Sequence, residues 1–345
     1  LFLPSVAARL TGGTASRTYE EYDEAVRDFA AVVGPDVPEP DLKPSHFLKH
    51  RLYLAGRFGL HRRKKFMIMI RTKFKWCYDN GHIAKPPRYG SEYKLPTKAE
   101  FRKAEGSRRR EHGRLKYEPP ELGALLANTD DAQVRAMIFL GLNCGFGQED
   151  LSTLSARVVD RKGGVIDDCR KKTGVERKAF LWPESLAAVD AAIAARPVPN
   201  QSRADLDDRV FLTRFGNPWV EDVECDTKGG DVKTRHKDAI GMLFWKLNVK
   251  AETYRRGRNF YSLRRTFRTC ADELGDQRAI ALVMGHEVGD VADRYVEEIS
   301  DARLRKVTDH VRRHVLLPAL KAEAAIRRRK ALEHKADGGP LAKAG

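Results

Sequence analysis

The segment Tyr261–Leu274 constrains this chain more than any other stretch. At 3.6 residues per turn, Leu263, Phe267, Cys270 and Leu274 share one face, and Tyr261, Arg264, Arg265 and Arg268 share the other. Such a segment must be a helix with its apolar side in a core, and Gly275 stands where a C′ glycine would end it. The opposite face presents a phenol and three guanidiniums. Guanidinium forks match phosphate oxygens bidentately, so this face suits phosphate recognition. A plain solvated basic face has the same pattern. The whole chain leans the same way: 64 Lys and Arg against 48 Asp and Glu leave +16 over 345 residues. An excess of that size attracts polyanions, nucleic acid first.

The length suggests about two domains. Residues 1–17 read as a loose tail and 18–85 as a helical lobe, with helices expected at Tyr19–Val33, His46–Phe58 and His61–Asp79. In the third helix Phe66, Ile70, Phe74 and Cys77 form an apolar stripe. Arg62, Arg63, Lys64, Lys65, Arg71 and Lys73 occupy the other faces and are candidates for contacting a phosphate backbone. Residues 86–117 read as a basic linker opened by Pro86-Pro87. A second lobe follows over 118–320, with a buried helix at Val134–Leu142 and a short one at Asp150–Leu154. Its small antiparallel sheet runs through Arg157–Asp160, Val165–Arg170 and Arg177–Trp182, with Gly-containing turns between. A further strand is expected at Val210–Thr213. Helices are expected at Glu184–Ala195, Ala239–Leu247, Gln277–Met284 and Val291–Ile299, and a basic, helix-prone tail over 321–345. The fold class is therefore mainly α with a small antiparallel β-sheet (α+β).

Five scattered cysteines, none in a CxxC pair, argue against a disulfide framework and a four-cysteine zinc site, and fit a reducing cytosol. No apolar run approaches the roughly 20 residues needed to cross a bilayer, so no membrane association is expected. The Leu-Phe-Leu-Pro start has no charged n-region, and no signal peptide is read there. His46-x-x-x-His50 and His310-x-x-x-His314 have helical spacing, but neither has a Glu beside its first His or an obvious third ligand. No metal site is read from them. Gly145-x-Gly147 lacks the preceding strand and third glycine of a dinucleotide fingerprint.

Arg264-Arg265-Thr266 on a helix is followed by Gly285-His286 and by Tyr295 nine residues further on. This order resembles the tyrosine recombinase (phage integrase) family. Lys172-Thr173-Gly174 in the hairpin and the Val210–Trp219 segment resemble other elements of that family, and the helical lobe resembles its core-binding domain. The resemblance spans about residues 20–316 and implies a core-binding domain joined to a catalytic domain. It implies cleavage and rejoining of duplex DNA through a 3′-phosphotyrosyl intermediate, for DNA integration and recombination. Tyr295 would be the nucleophile, Arg264 the phosphate clamp, His286 a hydrogen-bond donor and Lys172 the general acid. Tyr261 stands where the family most often has His. Neither a cofactor nor a metal is implied, because side-chain cations stabilise the phosphate oxygens. The implied partners are duplex DNA, three further copies in a tetramer on paired sites, and accessory DNA-bending or directionality proteins. The implied setting is the cytoplasm, with the nucleoid. The family often passes a C-terminal segment to a neighbour, a role open to the tail after Leu320.

The sequence departs from the family at one position that bears on chemistry. Where the family has Gly-x-Arg-x-x-Glu, this chain has Gly145-Phe146-Gly147-Gln148-Glu149-Asp150. Losing a cationic donor to a transition-state oxygen typically costs about 2–4 kcal/mol. Either Arg170, Arg265 or Arg268 substitutes, or the chain is a recombinase-derived sequence-specific DNA binder with weak or lost cleavage. A basic RNA-binding protein would explain the charge but not the ordered motifs.

Overall fold

The computed structural model describes residues 15–170, 174–201, 203–226, 232–287 and 297–336. The chain forms two units, Leu1–Glu111 with Val223–Arg235, and His112–Asp222 with His236–Gly345.

The first unit is built on helices α1 (Ala15–Val33), α2 (Pro44–Arg57), α3 (Leu60–Asp79) and α4 (Lys98–His112). Phe29, Phe47, Leu54, Phe66, Met67, Ile70, Phe74 and Tyr93 make its core. The Phe74 ring meets Phe29 at 5.8 Å and Phe47 at 5.9 Å, both edge-on, a favoured geometry for aromatic pairs. The stripe read from the sequence is present, and Met67 and Met69 widen the buried arc of α3. Helix α4 lies inside the stretch expected as a linker. None of its residues is buried, so no hydrophobic period announced it.

The second unit contains α5 (Pro119–Leu126), α6 (Ala132–Asn143), α7 (Gln148–Ser152), α8 (Pro183–Ala194), α9 (Ala239–Lys250), α10 (Tyr261–Ala271), α11 (Gln277–Met284), α12 (Asp301–Val311) and α13 (Leu317–Ala336). Helix α6 is buried from Gln133 to Asn143 except at Arg135 and is the central post, with α8 and α10 packed against it. Strands β1 (Val159–Asp160), β2 (Val165–Cys169) and β3 (Glu176–Phe180) form an antiparallel sheet in that order. The mainly helical class with a small antiparallel sheet is thus borne out. Two details differ. Val210–Leu212 are buried without joining a ladder; Val210 N–H donates to Leu154 O at 2.9 Å, and only Arg209 makes an isolated bridge, to Ser155. A two-stranded sheet of β4 (Val220–Asp226) and β5 (Val232–Asp238), rich in charge, follows instead in the chain, and most of its residues, 223–226 and 232–235, belong to the first unit. Only Glu297–Ile299 of the helix expected at Val291–Ile299 is described, and it is not helical; α12 begins at Asp301.

Residues 321–336, read as tail, continue α13, which packs along α5. Glu323 is buried and binds Arg135 at 2.6 Å. A Cβ added at Gly123 would stand 2.6 Å from Ala322 Cβ and 2.7 Å from Ala319 O. The two helices meet this closely only because residue 123 has no side chain. Gly123→Val is expected to force them apart and cost about 1–3 kcal/mol. The measurement is a fall in the urea midpoint at unchanged slope.

Candidate active site

Four segments of the second unit converge around Arg264. Its position on α10 faces two loop junctions, one after α6 and one after α11. The guanidinium is buried, and its Nη1 donates to Gly145 O. Nη2 donates to Met284 O at 3.0 Å and to Nε2 of His286. Among the described residues, Nε finds no acceptor. So Arg264 does not sit on the solvated face that the helical wheel assigned it, whereas Arg265 does and Tyr261 is 39% exposed. Burial lowers the Arg264 pKa below the usual arginine range, with Tyr261 and Asp150 acting in the opposite sense. An arginine still keeps its charge at neutral pH.

His286 is presented by the end of α11. Gly285 takes the left-handed conformation (φ 62°) as the C-cap of that helix, and a Cβ there would meet Arg170 Cβ and Cδ at 3.3 Å. The left-handed backbone favours glycine here, and the contact with Arg170 is close. The imidazole is pulled down to about 4, by burial first and then by Arg264, Arg170 and Arg268, against the opposite pull of Asp150. At neutral pH it is uncharged. Because Arg264 donates to Nε2, the ring proton belongs on Nδ1, which leaves one donor to offer a ligand. Arg268, Gln277, Met284 and His286 line a cleft of about 210 Å³ beside it.

The third segment is the start of α7, where Gly147 caps the helix and Asp150 follows three residues on, nearly one turn away. Asp150 accepts the Gly147 N–H at 2.8 Å, Arg177 Nη1 at 3.0 Å and Arg170 Nε at 3.3 Å. Arg177 also holds Asp168 at 3.1 Å, its opposite residue in the β2–β3 ladder, and its side chain is 3% exposed. Burial alone would raise the Asp150 pKa; Arg177, the Gly147 N–H, Arg170 and Arg264 outweigh it and hold the carboxyl below its usual range. A Cβ at Gly147 would lie 3.3 Å from Asp150 Oδ2 and 3.8 Å from a ring carbon of Tyr261. Gly147 and Tyr261 are thus neighbours in space.

The fourth segment is the β2–β3 hairpin, which delivers Arg170 and Arg177. Of the three candidate substitutes for the missing arginine, Arg170 touches the Asp150 cluster and Gly285. Arg265 is exposed, and Arg268 is engaged by Asp272 at 3.0 Å and by Gln277. Asp150 stands in the motif read from the sequence, whereas Arg177 and Asp168 were not read there as site residues. Their signal was faint: Asp168 and Arg177 sit opposite each other only once the hairpin register is known. Lys172 and Tyr295 lie outside the described residues.

In the first unit, the basic side chains of α3 are largely engaged within the lobe. Arg62 pairs with Glu24 and covers Phe58 at 4.4 Å. Lys65 pairs with Glu21, and Arg63 reaches Glu100 at 3.7 Å. Arg71 donates to Tyr93 O, and Lys64 lies 5.5 Å from the centre of the Phe101 ring. Lys73 is partly buried, which lowers its pKa. His50 is a core residue, 2.9 Å from the Tyr93 hydroxyl and lowered to about 4 by burial, and His46 Nδ1 accepts the Lys43 N–H.

No protein-family model and no curated protein sequence matches the chain. Solved structures do. A lambda integrase (75–356) dimer bound to a COC′ core site is similar over 87% of this chain and 98% of its own, at 14% identity and a TM-score of 0.59. The Tn1549 transposon integrase, in complex with transposon right end DNA, is similar over 90% of this chain and 98% of its own, at 14% identity and 0.58. A lambda integrase tetramer bound to a Holliday junction is similar over 87% of this chain and 79% of its own, at 13% identity and 0.54. At such identities the likeness is one of fold, and the fold of this chain is that of these integrases.

Proposed function

We propose that this chain is a site-specific tyrosine recombinase that cleaves and rejoins duplex DNA, acting as an integrase. The observation that carries the reading is the buried Arg264 guanidinium, joined to a neutral His286 beside Arg170. Buried, preorganised donors stabilise charge that develops on phosphate oxygens far better than solvated ones do. Tyr295 attacks the scissile phosphorus as its phenol releases its proton to solvent, the P–O5′ bond breaks with the 5′ oxygen taking a proton from Lys172, and a 5′-hydroxyl later reverses the linkage. These two roles rest on the sequence motif. Arg170 takes the place of the cation missing at Gly147, since it approaches the same acidic residue from the hairpin. Tyr261 contributes a phenolic hydrogen bond. A tetramer on paired DNA sites, aided by DNA-bending or directionality proteins, fits this chemistry. Exposed Arg265 and the basic surface of α3 would contact the DNA backbone.

A second reading, a DNA binder that no longer cleaves, is favoured by Gly147 itself. Expressing the chain beside its flanking DNA, lysing under denaturing conditions and sequencing any attached DNA separates the two. Attached DNA is expected with the native chain and none with Tyr295→Phe. Arg170→Ala is expected to lower the yield about 100-fold, and Arg265→Ala to leave it within a few-fold. Specific duplex binding with no attached DNA would support the binder. Structured RNA outcompeting duplex DNA at matched salt would contradict both.

A further inference from the structure

On the second unit, α10 and α12 bring together residues that the recombinase chemistry does not use. Cys270 closes α10, Glu273 follows in a 3-10 turn and His310 projects from α12. The Cys270 sulfur, a Glu273 oxygen and a His310 nitrogen all lie within 4.8 Å of one another. Glu273 Oε2 and His310 Nε2 are 3.2 Å apart, and Cys270 is 8% exposed. After α12 the helix loosens into a π-turn, Arg312–Leu316, which carries His314; its ring centre is 4.3 Å from that of His310. Single π-turns of this kind are frequent at functional sites. A cleft of about 150 Å³ opens here, lined by Cys270, Glu273 and His314.

We infer that Cys270, Glu273 and His310 bind a zinc-class divalent cation, with His314 or water as fourth ligand. Sulfur, imidazole and carboxylate form a borderline-soft donor set that selects Zn²⁺ or Co²⁺ over Mg²⁺ and Ca²⁺. Bonds of about 2.0–2.3 Å to one ion need donor atoms about 3–4 Å apart, a small contraction of the present cluster. On binding, the Cys270 thiol releases its proton to solvent and the thiolate joins the metal. The ion would tie α10, which carries Arg264, to α12, which starts shortly after Tyr295. The sequence reading lacked a third ligand for His310-x-x-x-His314; the fold supplies it from residues 37 and 40 positions earlier.

The test uses the full chain, stripped with chelator and titrated with Co²⁺ and then Zn²⁺. One equivalent of Co²⁺ is expected to give the visible bands of a tetrahedral site and a thiolate-to-cobalt charge-transfer band. Cys270→Ser is expected to abolish the charge-transfer band, and Cys77→Ser to keep it. Cys270→Ser and His310→Ala are each expected to weaken Zn²⁺ binding at least about 100-fold, the upper end of what even outer-shell partners cost. Zn²⁺ is expected to raise the Tm of the native chain and not of Cys270→Ser. Glu273→Gln, at an exposed position, gives the same readout if a core variant fails to fold. Absence of stoichiometric binding, or binding unchanged in Glu273→Gln and His310→Ala, would overturn the inference.

Discussion

Arg264→Ala is expected to lower the rate of DNA strand cleavage about 10²- to 10³-fold, the usual consequence of removing one preorganised donor from a developing oxyanion. The side chain touches three groups at once: the carbonyls of Gly145 and Met284, and the His286 ring. Alanine therefore removes the donor proposed for the phosphate and also releases the two junctions it holds. Arg264→Lys separates these effects. An ammonium retains the charge but cannot span both carbonyls and the imidazole, because it is a point charge and not a planar fork. The fold is expected to survive in Arg264→Lys, read as an unchanged far-UV circular dichroism spectrum. Cleavage of a nicked suicide duplex is expected to stay close to the alanine level. Lysine restoring the native rate would show that charge alone matters at this position.

Asp150→Ala is expected to be the most destabilising change in the site. The carboxylate holds Arg170 and Arg177, and Arg177 is almost entirely shielded from water. Removing one member of a buried ion pair typically costs about 3–5 kcal/mol, because the other charge is left without its partner. Asp168 still reaches Arg177 and places the expectation toward the lower end. The pH dependence has a definite sign. The folded pKa of Asp150 lies below the ordinary value, so its contribution is fully present above about pH 3.9. It is lost as pH falls through the folded value. Urea midpoints should therefore fall more steeply below about pH 4 for the native chain than for Asp150→Asn.

Much of the fold was legible because most helices carry a 3.6-residue apolar period and the β2–β3 hairpin has turn glycines. What escaped has physical reasons. Helix α4 buries nothing, so it left no pattern. Val210–Leu212 are as apolar as a strand, yet their burial comes from packing and not from a ladder. The site was legible in part as a list of residues. The wheel separated Arg264 from the apolar stripe correctly but could not say that it is buried, since its cover comes from residues 119 and 20 positions away. For the same reason the neighbourhood of Gly147 and Tyr261, and the meeting of Cys270 with His310, were invisible in one dimension.

If the proposed function holds, Tyr295 becomes covalently joined to DNA. The most direct measurement is mass spectrometry of the chain recovered from a duplex reaction, after nuclease digestion down to the residue attached. A nucleotide linked through its 3′ phosphate to Tyr295 is expected, and it is absent from Tyr295→Phe. A 5′ linkage, an adduct on another side chain, or no adduct on a duplex the protein binds specifically would contradict it.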